Sequence, residues 1–127
     1  MTALEAATAA LARRDRAAAD LVGYLERKGF AHDDAEAAVE RLRDAGYVND
    51  ARYAAERARV LADRGYGDEY IRFQLEKDGV PPEEVEGALA ELEPERERAR
   101  GVDARHLAAK GFSADAIESS RLQAGLE

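Results

Sequence analysis

The apolar positions of this chain carry one pattern written three times. Leu25-Glu-Arg-Lys-Gly29-Phe30 returns as Leu75-Glu-Lys-Asp-Gly79-Val80 and again as Leu107-Ala-Ala-Lys-Gly111-Phe112. Each copy has a leucine, a glycine, and an apolar residue five places beyond the leucine. That is how a helix ends: glycine takes positive φ just past the last turn, and the next apolar residue packs back onto that turn. Gly29, Gly79 and Gly111 are therefore structural turn residues. After Phe30 come Ala35, Ala38, Val39 and Leu42, and after Val80 come Val85, Ala88, Leu89 and Leu92 at the same offsets. Those offsets are i, i+3, i+4 and i+7, one face of an α-helix. Recurrence over more than one element marks stacked helical units.

The pattern predicts helices throughout. The first runs from about Ala3 to Arg14, opened by the capping box Thr2-Ala-Leu-Glu5, with Leu4, Ala7 and Leu11 as its buried stripe. Asp15 or a neighbour re-caps the chain for a helix over Ala17 to Lys28, with Leu21, Tyr24 and Leu25 inward. Gly23 lies inside it, and a close helix approach is the simplest reason. A third helix covers Asp33 to Ala45 and closes at Gly46. Tyr47 and Val48 are expected to plug a seam, Asn49 caps, and a helix over Asp50 to Asp63 turns Tyr53, Val60 and Leu61 inward. Arg64-Gly-Tyr-Gly67 makes a tight connection and Asp68 caps a fifth helix, whose inner side carries Tyr70, Ile71, Gln74 and Leu75. Pro81-Pro-Glu-Glu84 opens a sixth, which runs to about Leu92.

The charged run Glu93 to Arg100 reads as a solvated linking helix that continues to Lys110. Ser113 then caps a last helix from Ala114 to about Leu122. This third repeat is degraded: Asp103 and Arg121 replace apolar residues of the other copies, so it should be the least stable, fraying after Leu122. The expected fold is all-α. Tandem three-helix repeat units over 1–46, 47–92 and a shortened 93–127 form an elongated curved helical array.

Composition narrows the function. Charged residues make up 36% of the 127 and the net charge is −8. The repeating apolar face argues against disorder, which lacks one. The acidity argues against tight autonomous nucleic-acid binding, where phosphate neutralisation supplies most of the affinity. No apolar run is long enough to span a membrane, and the start lacks a basic and then apolar leader, so a cytoplasmic protein is expected. Cysteine is absent, which removes disulfides and thiolate metal sites. No nucleophile with a paired base, phosphate loop or metal-ligand spacing stands out. Neither an enzyme nor a cofactor is expected. His32-Asp-Asp34 sits where a helix needs a cap, and His106 is isolated.

The order of motifs resembles the RecX family, regulators of the RecA recombinase. Gly46-Tyr-Val-Asn-Asp-Ala-Arg-Tyr-Ala54 is similar to that family's joint between units. Arg64-Gly-Tyr-Gly67 with Ile71, Gln74-Leu75 and Lys77-Asp-Gly-Val80 resembles its second unit, and Ala10-Leu-Ala-Arg-Arg-Asp-Arg16 the start of its first. The family pattern places proline and a basic residue after the second glycine of the turn; Asp68 and Glu69 stand there instead. The resemblance implies a monomeric, non-enzymatic regulator. It would bind a RecA-type recombinase or its filament and restrain ATP hydrolysis, filament extension and strand exchange, with weak DNA contact possible. A helical-repeat adaptor for another protein and a weak DNA-binding module are the alternatives.

Candidate partner-binding residues form two basic groups. Arg13, Arg14 and Arg16 end the first helix, and Arg52, Arg57, Arg59, Arg64 and Arg72 lie around the fourth and fifth. Arginine forks suit both carboxylates and phosphates. Solvated surface with acidic partners one turn away is the plain alternative. Most of the tyrosines read as core, and Tyr66, between two glycines, is the one expected at an exposed partner surface.

Overall fold

In a computed structural model the chain is helical throughout the described residues, 1–100 and 106–125, with 120–125 described by backbone alone. Eight helices follow in order: α1 Ala3–Arg13, α2 Ala18–Arg27, α3 His32–Asp44, α4 Asp50–Asp63, α5 Asp68–Lys77, α6 Pro82–Ala90, α7 Glu95–Ala99 and α8 Ala114–Gly125. Helices α1, α2 and α3 pack on one another, α4, α5 and α6 do the same, and α7 packs on α8.

Three separate cores result. Leu21, Leu25, Val39, Leu42 and Val48 anchor the first, with small alanines of α1 against them. Leu61, Ile71, Leu75, Val80, Val85 and Leu89 anchor the second. The third is small: Ala99, Leu107, Phe112 and Ala116, with Ile117 alongside. Each fully buried leucine or isoleucine is worth about 1.5–3 kcal/mol relative to exposure, so the third core has the least to hold it.

The repeated turn closes as its spacing predicts. The N–H groups of Phe30, Val80 and Phe112 donate back to the carbonyls of Leu25, Leu75 and Leu107 at 3.1, 3.0 and 3.0 Å. The glycine before each has φ of 102°, 84° and 84°. The same closure occurs twice more. Tyr47 N–H donates to Leu42 O at 2.8 Å past Gly46, and Tyr66 N–H to Leu61 O at 3.1 Å past Gly65. The leucine–glycine–apolar spacing stands in the sequence at both places, so the closure occurs five times: it ends α2, α3, α4 and α5, and at Gly111 it closes the turns of residues 106–110.

Local caps divide between the expected and the unexpected. Thr2 and Glu5 form the reciprocal capping box, Asn49 accepts from the Arg52 N–H at 3.0 Å, and Ser113 Oγ accepts from the Ala116 N–H at 3.2 Å. Neither Asp15 nor Asp68 caps the helix assigned to it. The N-caps are Ala17 and Gly67, without side-chain caps of their own. His32 is the first residue of α3 and Ala31 its cap, so His32-Asp33-Asp34 occupies the first turn.

Several packing expectations change. The most buried α1 residues are Ala3, Ala6, Ala7 and Ala10, with Leu4 and Leu11 only partly covered, because the close packing favours the alanine side of the helix. Gly23 faces no neighbouring helix: an added Cβ would meet only Arg27 of its own helix, at 3.2 Å. Val48 enters the first core, but Tyr47 stays 66% exposed rather than filling a seam. Val60 is half-buried while Ala58 and Leu61 face the core. The run from Glu93 is not a continuous helix to Lys110. Helix α7 stops at Ala99 and residues 106–110 form turns. Helix α8 extends to Gly125 instead of ending at Leu122. Asp103 and the Arg121 side chain lie outside the described residues.

Candidate partner-binding face

Two joints position the surface. At the first, Asp50 Oδ1 accepts from the Ala18 N–H at 2.8 Å, Ala17 is buried in the second core, and a Cβ on Gly79 would lie 2.7 Å from the Ala19 methyl. At the second, the Gly67 N–H donates to Lys110 O at 2.7 Å and the Glu69 N–H to Gly111 O at 2.9 Å.

Charged residues lock the second joint. Glu95 accepts from the N–H groups of Asp68 and Ser113 at 3.1 and 2.9 Å, and its other oxygen accepts the Ser113 hydroxyl at 2.7 Å. Arg98, whose side chain is 9% exposed, pairs with Asp68 and donates to Tyr66 O at 2.8 Å and Glu93 O at 3.0 Å. Burial raises the Asp68 carboxyl above the usual carboxylate range, and the Arg98 charge opposes that rise. The charged run read as solvated linker is thus partly built into the fold. The capping need of α5 was the available signal, since Gly67 has no side chain to meet it.

The predicted binding arginines separate into tied and open groups. Arg52 donates to Gly46 O and Tyr47 O, both at 3.1 Å, and approaches Asp15 at 3.7 Å. Its guanidinium braces the α3–α4 loop. Arg59 pairs with Glu56 at 3.2 Å and Arg72 with Glu86 at 2.8 Å. The Arg72 hydrogen bond also lowers the Glu86 carboxyl pKa. Arg14, Arg57 and Arg64 make no side-chain hydrogen bond or ion pair among the described residues. Tyr66 is not the exposed aromatic expected: it is half-buried and stacks on Tyr70, rings 4.1 Å apart and 15° from parallel, with Lys110 Nζ 5.0 Å from its centre. The aromatics most open to solvent are Tyr47 and Phe73, at 66% and 59%.

One cationic cluster stands out on the first three helices. Arg16 lies 4.5 Å, Lys28 5.5 Å and Arg13 6.0 Å from the centre of the Tyr24 ring. Arg13 donates to the Tyr24 hydroxyl at 2.8 Å, which lowers that phenol's pKa. Arg16 is tied to Asp20 at 3.1 Å, yet its Nε is buried without a hydrogen-bond partner among the described residues. Asp20 is the carboxylate that pairs within this group, so the cluster keeps a local positive excess in an acidic chain. Lys28 was not among the residues singled out by sequence; Tyr24 one turn before it was the signal. Among the described residues no group of His, Asp and Glu side chains has the arrangement of a metal site. No described helix is long and apolar enough to cross a membrane.

Sequence profiles give the relationship. The profile of the first three-helix domain of RecX matches residues 3–42, and that of the second matches residues 49–89. The chain belongs to the RecX family. Regulatory protein RecX of Xanthomonas axonopodis pv. citri is 36% identical over 111 residues, covering 87% of this chain and 68% of that protein. Its counterpart in Stenotrophomonas maltophilia is 32% identical over the same shares. The crystal structure of RecX from Lactobacillus salivarius superposes with a TM-score of 0.86 over 98% of this chain and 96% of its own, at 19% identity. A second regulatory protein RecX structure gives 0.80 over 94% and 70%, at 22% identity. At those identities the structural likeness speaks for the fold, while the curated relatives place the chain among regulatory proteins.

Proposed function

We propose that this RecX-family chain regulates a RecA-type recombinase in the cytoplasm. As a monomer with units over 1–46, 47–92 and 93–127, it binds the recombinase or its nucleoprotein filament and carries out no chemistry itself. The observation that carries the reading is the Arg13–Arg16–Lys28 cluster around Tyr24, with the exposed Arg14 next to Arg13 along the chain. A local positive excess on a chain of net charge −8 suits an anionic partner surface, either carboxylates of a protein or phosphates within the filament. Lys110 sits over the Tyr66 ring and donates to the Arg64 carbonyl, and Arg57 and Arg64 are further basic residues with no ion pair among the described residues. A row of helical units offers a long surface that bridges neighbouring protomers, and bridging restrains ATP hydrolysis, filament extension and strand exchange by favouring one filament state.

The test is a titration of the protein into cognate recombinase on single-stranded DNA while ATP hydrolysis is followed. Hydrolysis should fall as the protein approaches the protomer concentration. An unchanged rate at several-fold excess over protomers rejects the reading.

A further inference from the structure

The two joints share one construction. At each, the first residue of the following group's first helix is an acid that accepts from the first N–H of the preceding group's second helix. Asp50 opens α4 and takes the Ala18 N–H, where α2 begins. Glu95 opens α7 and takes the Asp68 N–H, where α5 begins. Neither α2 nor α5 has a side-chain cap of its own. The leucine–glycine turn of the following group abuts the same helix start each time. A Cβ on Gly79 would meet the Ala19 methyl at 2.7 Å, and one on Gly111 would meet Tyr70 N at 2.4 Å.

We propose that Asp50 and Glu95 are positioning residues that fix how successive units sit on one another. Each unit lends a carboxylate as the missing cap of the unit before it. A helix start normally takes its cap from its own sequence, and the bond then constrains only the local chain. Here the donor and acceptor are 32 and 27 residues apart, so the same bond constrains two packed bodies. Contacts between helices of different groups are sparse beside those within groups, which leaves the caps and the glycine seats to set the angle. The second joint adds the backbone bonds of Gly67 and Glu69 to Lys110 and Gly111, and the first has no such pair among the described residues. Asp50 therefore carries the larger share of its joint.

The chain has no cysteine, so two can be introduced for spin labels at exposed Thr8 on α1 and exposed Glu83 on α6. Pulsed dipolar spectroscopy then reads the distance between the first two units. Asp50→Ala should broaden or shift that distribution, with circular dichroism unchanged. Asp50→Asn should keep it narrow, because asparagine accepts the same bond and caps as well as aspartate. A merely local cap would leave the distribution narrow in Asp50→Ala, and that result overturns the proposal, as does equal broadening in Asp50→Asn. Should Asp50→Ala fail to fold, amide exchange in the unsubstituted protein decides: Ala18 N–H protected about fivefold or more beyond its intrinsic rate supports the bond, and unprotected exchange overturns it.

The consequence for regulation rests on the function proposed above. Units held at fixed spacing engage neighbouring protomers as one ligand, so loosening the joint should raise the concentration needed for half-maximal inhibition about tenfold. The distance measurement contains no recombinase, so its outcome stands apart from whether that function is right.

Discussion

Gly67 and Gly111 meet backbone to backbone: a Cβ on Gly67 would stand 2.5 Å from the Gly111 carbonyl oxygen. Neither neighbour can yield, because both are main chain and already hydrogen-bonded across the joint. Gly67 has ordinary extended φ, so its requirement here is space and not conformation.

Gly67→Ala should consequently push the third core off the second. The expected cost is about 1–3 kcal/mol, typical of overpacking. Limited proteolysis should cut between Glu93 and Ser113 faster than in the parent chain, while amides of α1 to α4 keep their protection. Equal proteolysis rates would show that the joint accommodates the methyl.

Arg98→Ala removes the guanidinium that joins Asp68, Tyr66 O and Glu93 O. Hydrogen bonds to a charged group contribute about 1.5–3 kcal/mol, so urea unfolding of the segment containing α7 and α8 should move by that amount. Arg98→Lys should recover only part, because an ammonium cannot reproduce the planar fork.

Leu75→Ala opens a cavity in the second core, where Leu75 is fully buried and closes the repeated turn with Val80. A loss of about 2–5 kcal/mol is expected by chemical denaturation. Arg64→Ala is the contrast: an exposed side chain with no described ion pair should change stability by less than about 0.5 kcal/mol. If Arg64→Ala unfolds the chain, its surface role is refuted.

His32 supplies a pH signature. Its ring lies between Glu26 and Glu36, and the hydrogen bond to Glu26 raises its pKa above the ordinary histidine value. A raised folded pKa means the protonated ring favours the folded state. That contribution is complete below about 6.5, the unfolded value, and disappears as pH climbs through the folded pKa. The melting-temperature difference between the parent and His32→Gln should be largest at about pH 5.5 and shrink as pH rises above about 6.5. A difference independent of pH would rule out the charge.

Reversing charge at Arg14, next in the chain to Arg13 of the Tyr24 cluster, tests the binding face. Arg14→Glu changes an exposed residue with no described partner, so the melting temperature should hold. The concentration needed to inhibit recombinase ATP hydrolysis should rise about tenfold, the scale of one lost charge-assisted contact. No rise would exclude Arg14 from the face.

Helix content and turn positions were legible from spacing because a helix end is a local event. Leu25, Gly29 and Phe30 lie within one turn of chain, and their backbone bonds need nothing from elsewhere. The basic groups were legible only as candidates. Arg52 and Arg72 look alike in sequence, but one braces a loop through carbonyls and the other pairs with Glu86, fourteen residues on. Tyr66 looked exposed because glycines flank it. Gly67 instead brings the third group close, and Tyr66 stacks on Tyr70.

By itself the amino-acid order determined the all-helical class, the leucine–glycine–apolar endings and the periodic faces of α3 and α6, because each depends on residues within a few turns of one another. Only tertiary structure decided who caps α2 and α5, why Gly67 tolerates no side chain, and which arginines remain open to a partner. The two caps join residues 32 and 27 positions apart and Arg72 finds Glu86 on another helix, and no local periodicity encodes such meetings.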